Sequence, residues 1–110
     1  MEDVSDAAFR RVCRTVGAEL CVTEFIRAEQ MIAGADLARR KAALAEDDRP
    51  TAIQIYGADA ELLMAAAAVA AAARPAFIDL NCGCWLPGGC AIHGRWSRWR
   101  GASWRRSICR

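Results

Sequence analysis

The feature that most constrains this chain is an alternation of helical and strand-like patterns that runs through its first 84 residues and then stops. A helical pattern comes first. Phe9, Val12, Cys13 and Val16 follow the i, i+3, i+4, i+7 spacing of one buried face, with Arg10, Arg11 and Arg14 opposite. Ser5 is a good N-cap, Asp6 suits a first turn and Gly17 suits the C′ position, so a helix is predicted over residues 5–16. Residues 19–25 form a short apolar, β-branched run after that glycine and are predicted to be a strand. Residues 26–44 are mostly helix-forming, with Gly34 as an interruption and Asp36 as a second cap. Residues 46–50 read as a solvated loop. Thr51–Tyr56 reads as a strand ending at Gly57, and Asp59 caps an alanine-rich helix that reaches about Ala73 before Pro75. Residues 76–80 are a third strand, which leads into Asn81-Cys82-Gly83-Cys84.

Strands separated by helices imply parallel pairing through right-handed crossovers, and apolar strand runs imply a sheet covered on both faces. A doubly wound sheet and a (β/α)8 barrel both fit this order. Each takes more chain than the 110 residues present, since a barrel typically needs about 250. With 55% apolar and 25% charged residues, the composition is that of one folded domain. No charge-free apolar run reaches ~18 residues, so no membrane-spanning helix is expected. The acidic start Met1-Glu2-Asp3 argues against a signal or transit peptide, and a cytoplasmic location is expected. Nothing in the sequence implies a protein partner.

The formal net charge of +2 averages two unlike parts. Residues 1–84 hold nine of the Lys and Arg residues and all 13 acids, whereas residues 85–110 hold six arginines, no acid and all four tryptophans (Trp85, Trp96, Trp99 and Trp104). Helical and strand periods end at the same point.

Several residues could carry chemistry. Asn81 and Cys84 follow the third strand, and ligand sites in parallel α/β folds lie beyond the carboxyl ends of strands. A thiol with an ordinary pKa of ~8.5 is mostly protonated at neutral pH. Cys84 could donate that proton, act as a nucleophile in a suitable environment, or simply be a buried structural thiol. Gln54 is a polar side chain between Ile53 and Ile55. A barrel would turn it inward, where a heteroaromatic ligand edge or neighbouring backbone would satisfy it. Thr23 and Glu24 stand at a strand end and could approach the same mouth.

Cys13 and Cys21 lie on apolar faces and read as free core thiols. Cys82, Cys84, Cys90 and His93 form C-x-C-x5-C-x2-H, but the first pair lacks the usual C-x2–4-C gap, so no metal site is expected. The arginines and tryptophans of the tail would suit phosphate neutralisation and base stacking. A small RNA-binding or zinc-binding protein is therefore the alternative reading.

Four ordered blocks support a family resemblance. The opening Met1-Glu2-Asp3-Val4-Ser5-Asp6-Ala7-Ala8-Phe9-Arg10 resembles the M-x-G-V-T-D-x-P-F-R segment of bacterial tRNA-dihydrouridine synthases. Val22-Thr23-Glu24 with Ala28-Glu29 is similar to the next block of that family. Arg49-Pro50 through Gln54-Ile55-Tyr56-Gly57 resembles its R-P-x-x-x-Q-[LI]-[FY]-G block, and Ile78-Asp79-Leu80-Asn81-Cys82-Gly83-Cys84 resembles I-D-[IL]-N-x-G-C. The resemblance implies an α/β fold, a partial (β/α)8 barrel of about three parallel strands over residues 1–85, followed by an irregular tail over residues 86–110. It also implies FMN as cofactor, NADPH as reductant, and tRNA as the substrate whose uridine becomes 5,6-dihydrouridine. By the same resemblance Cys84 would be the proton donor, Gln54 and Met1 would contact the flavin, and Asn81 would position the uridine.

Departures from the pattern shape further expectations. Met1 matches the methionine of the family's A-P-M motif, so the first barrel strand would precede it. Glu2-Asp3 replaces x-Gly, and Trp85 stands where many members have proline. After Trp85 the match ends, and the tail is expected to be read in a shifted frame. Trp has the single codon TGG, so reading one base earlier turns each tail Trp into Met, Val or Leu. One permitted back-translation then resembles the helix and strand expected downstream. A chain cut in this way is expected to be inactive.

Overall fold

The structure, a computed structural model, describes residues 4–81. Its elements run in the order α1 (Ala7–Thr15), β1 (Cys21–Val22), β2 (Ile26–Arg27), α2 (Ala28–Ile32), α3 (Asp36–Ala42), a 3-10 turn (Glu46–Asp48), β3 (Thr51–Tyr56), α4 (Ala60–Ala71) and β4 (Ile78–Leu80). All strand pairs are parallel.

β3 is the centre of the sheet. On one edge Cys21 and Val22 pair with Thr51 and Ala52, and further along Ile26 and Arg27 pair with Ile55 and Tyr56. Four steps from Val22 to Ile26 face three steps from Ala52 to Ile55, so β1 and β2 are one strand path broken by a one-residue bulge. The other edge of β3 pairs with β4, with Ile53 opposite Ile78, Gln54 opposite Asp79 and Ile55 opposite Leu80. The strand paths thus lie side by side in chain order with helices between them, the order of a (β/α)8 barrel, and among the described residues the sheet is open.

Alternation along β3 separates two faces. Ile53 and Ile55 are fully buried, and with Ile26, Ala28 and Met31 they meet Leu63, Ala66, Ala67 and Ala70 of α4. Those four α4 positions follow the i, i+3, i+4, i+7 stripe, which explains how an almost uniformly apolar helix still presents one defined face. Gly57 lets the chain turn from β3 into α4 at close quarters, because a Cβ there would lie 3.2 Å from Ala28 Cβ. Asp59 caps α4 as expected, its carboxylate accepting from the N–H groups of Glu61 at 2.8 Å and Leu62 at 3.0 Å. Asp59→Ala is therefore expected to cost about 1 kcal/mol, read as a lowered midpoint in thermal melting. At the other end of α4, Arg49 donates to the carbonyls of Ala73 and Arg74.

The predicted elements are present with five corrections. The strand expected over residues 19–25 is two short pieces, Cys21–Val22 and Ile26–Arg27, the second of which lies in the stretch expected to be helix-forming. The helix at residues 5–16 is capped by Asp6, whose carboxylate accepts from Phe9 N–H at 2.7 Å, while Ser5 Oγ donates to the Val22 carbonyl at 2.5 Å. Its apolar stripe is turned outward: Val12 is 61% and Val16 81% exposed, and Arg10 is the buried residue. The physical reason is that α1 docks through Arg10 on a buried carboxylate, Asp48, rather than through its apolar side chains. Residues 46–50 are accordingly solvated at Glu46, Asp47 and Pro50 but not at Asp48, which is fully buried. Finally, Asp36 is the first residue of α3, and the cap position is held by Ala35 with no side-chain bond.

Gly17 ends α1 as expected. It takes φ +103°, and the bonds from Gly17 N to Arg14 O and from Ala18 N to Cys13 O, both 3.0 Å, form a Schellman closure. Cys21 is buried and Cys13 half-buried, and both are free thiols. No described helix is long and apolar enough to cross a membrane.

Candidate functional site

The face of the sheet opposite the core carries a polar row. Because Ile53 and Ile55 point into the core, Gln54 points the other way, and register places Asp79 beside it. Gln54 Nε2 donates to Asp79 Oδ2 at 2.5 Å. Asn81 lies two residues past Asp79, so it returns to the same face, and its Nδ2 donates to Gln54 Oε1 at 3.3 Å. The Asn81 backbone still belongs to the ladder through a 2.9 Å bond from its N–H to the Ile55 carbonyl. Gln54, Asp79 and Asn81 are all half-buried, so each is held by neighbours yet reachable. They sit toward the carboxyl ends of parallel strands, where α/β folds place ligands.

The bulge contributes a fourth group. Thr23 is buried, its N–H donates to the Ala52 carbonyl at 2.9 Å, and its Oγ1 accepts the Gln54 backbone N–H at 3.1 Å. A hydroxyl thus replaces the ladder carbonyl that the bulge displaces, and the backbone under Gln54 stays satisfied. Tyr56, on the same face as Gln54 by alternation, meets Phe25 edge to face at 5.2 Å between centroids, and Lys41 Nζ lies 5.9 Å from the Phe25 ring.

Of the residues singled out in the sequence, Gln54, Asn81 and Thr23 are therefore brought together. Glu24 is not part of that row. Its Oε1 accepts from the backbone N–H groups of Val4 at 2.5 Å and Ser5 at 2.6 Å, and its Oε2 lies 3.7 Å from Lys41 Nζ. Met1, Cys82, Cys84, Cys90, His93 and the Arg/Trp tail lie outside the described residues. Asp79 was missed by sequence reasoning. The available signal was an acid between Ile78 and Leu80, the same pattern as Gln54 between two isoleucines.

A family model described as dihydrouridine synthase matches residues 1–97. The chain belongs to the dihydrouridine synthase family. Among similar curated proteins, a probable tRNA-dihydrouridine synthase of Aquifex aeolicus is 35% identical over 88 residues, covering 79% of this chain and 28% of its own length. A tRNA-dihydrouridine synthase B of Pseudomonas syringae pv. tomato is 33% identical over 84 residues, covering 76% of this chain and 25% of its own length. A probable tRNA-dihydrouridine synthase of Rickettsia prowazekii is 34% identical over 85 residues, with 76% and 26% covered. The chain thus spans about a quarter of the length of these relatives. In this dihydrouridine synthase chain, the polar row occupies one face of an open, parallel portion of an α/β barrel.

Proposed function

We propose that this chain is part of a flavin-dependent enzyme that reduces uridine in tRNA to 5,6-dihydrouridine. The observation that carries the reading is the hydrogen-bonded row of Gln54, Asp79 and Asn81 on the inner sheet face of a family member. The donor set suits an FMN ring. A glutamine amide has two N–H donors and two acceptor lone pairs, and the bonds to Asp79 and Asn81 engage one of each. Among the described residues one donor and one acceptor are left to meet the mixed carbonyl and N–H edge of a heteroaromatic ring. Met1 would line the same flavin, and Asn81 would position the uridine. The chemistry that FMN supplies when bound is hydride delivery to C6 of the base, with NADPH as the reductant. Cys84 would hold a proton on Sγ and release it to C5, leaving a thiolate, so that hydride at C6 and the proton at C5 together saturate the 5,6 bond. The substrate is then a tRNA, and the cytoplasm is the compartment where it is met. By this reading residues 1–85 would belong to the barrel and residues 86–110 would be a basic tail, although the family match runs on to residue 97.

The test is an FMN titration of the purified chain, followed by quenching of flavin fluorescence. Gln54→Ala is expected to weaken binding about tenfold, the worth of one or two hydrogen bonds to a half-buried amide. Equal affinities for the two proteins would remove Gln54 from the flavin site.

A further inference from the structure

An amide can be turned over with almost no change of shape, so the orientation of a glutamine is decided by its partners. A carboxylate accepts hydrogen bonds and donates none. With Asp79 Oδ2 at 2.5 Å, Gln54 must present Nε2 on that side, which leaves Oε1 on the other. Oε1 in turn requires a donor, and Asn81 meets it with Nδ2 rather than with its carbonyl. One acid therefore orients two amides in sequence.

We infer that Asp79 is a positioning residue that locks the amide orientation of Gln54 and, through it, that of Asn81. The inference rests on the reading of Gln54 and Asn81 as flavin and uridine contacts only for its purpose; the lock itself is a property of the chain. Its consequence is that the two sides of the site are coupled. The group proposed to meet the flavin and the group proposed to meet the base share one hydrogen bond, and both take their polarity from a residue that needs to touch neither ligand. Placement supports this division of labour. Asp79 is paired in register with Gln54 inside the sheet, while Asn81 lies past the end of β4.

The experiment follows the Gln54 side-chain NH2 in 15N spectra of the labelled 110-residue chain, with thermal melting as the control for folding. One Hε proton of Gln54 is expected to exchange slowly in the wild type and about tenfold faster in Asp79→Leu, which has no acceptor. Asp79→Glu, which keeps an acceptor, is expected to retain part of the protection. Unchanged exchange in Asp79→Leu overturns the lock. A second variant separates orientation from mere packing. Asp79→Asn with Gln54→Glu keeps a hydrogen bond between the two positions but reverses donor and acceptor. It is expected to melt like the wild type and to bind FMN about tenfold more weakly, since the donor offered to the ring is gone. Wild-type affinity in that pair would show that the Gln54 donor does not face the flavin, which overturns the flavin reading and not the lock. If FMN leaves the wild-type Gln54 signal unmoved, the flavin reading fails, and the exchange rates still decide the lock.

Discussion

Asp48→Ala is expected to lower the folding stability of the chain by about 3–5 kcal/mol. The Asp48 carboxylate is fully buried and the Arg10 side chain is 4% exposed. Arg10 Nε lies 3.0 Å from each carboxylate oxygen and its second guanidinium nitrogen 2.5 Å from Oδ2, while the third donates to the Ser5 carbonyl. Thr51 Oγ1 adds a 3.2 Å bond to Oδ1, and Arg14 bonds the carbonyls of Asp48 and Pro50 from outside. The cost of the substitution is therefore the guanidinium left behind without its acceptor, more than the net worth of the pair. This sets a second expectation. Arg10→Met combined with Asp48→Leu removes both charges and should cost less than Asp48→Ala alone. Folded domains have only about 5–15 kcal/mol in total, so the single change is expected to leave little of the native state. Urea unfolding followed by circular dichroism checks both. A loss under about 1 kcal/mol for Asp48→Ala would mean that the pair is not sealed from water.

The contrast between these residues and the polar row shows which parts of the fold are legible locally. β3 can be read to the residue because its signal is contained within it: β-branched and apolar residues at period two, ended by Gly57. The Gly17 stop and the Asp59 cap are equally local, since each satisfies backbone groups within a turn of itself. Gln54 is legible for the same reason, as one polar side chain in an apolar strand. Arg10 is not. An arginine in a helix reads as solvent-facing, and the acid that draws it inward lies 38 residues along the chain, in what composition marks as a loop. The bulge between β1 and β2 is hidden in the same way, because it exists only relative to the register of β3. So is the part played by Asp79, whose partner Gln54 is 25 residues upstream. The site was therefore half visible: its amides could be found, and the acid that orients them required the pairing of two strands.

Glu24→Ala is expected to cost about 2–4 kcal/mol and to free the segment that leads into α1. Glu24 is a buried carboxylate, and a single oxygen of it receives the N–H groups of both Val4 and Ser5. Bonds to a charged acceptor are worth about 1.5–3 kcal/mol each, and these two share one acceptor, so their sum is discounted. The substitution also takes the negative charge away from Lys41, which is itself mostly buried. Glu24→Gln separates the two contributions. It keeps Oε1, and with it both backbone bonds, but turns an N–H donor toward Lys41, so about 1 kcal/mol is expected. Hydrogen exchange locates the effect. In Glu24→Ala the Val4 and Ser5 amides should lose their protection while those of Ile53 and Gln54 in β3 keep theirs, because the tie lies at the edge of the sheet and not in its ladder. Equal protection of Val4 and Ser5 in the wild type and in Glu24→Ala would show that α1 and its own contact, Arg10 on the Ser5 carbonyl, hold this segment without Glu24.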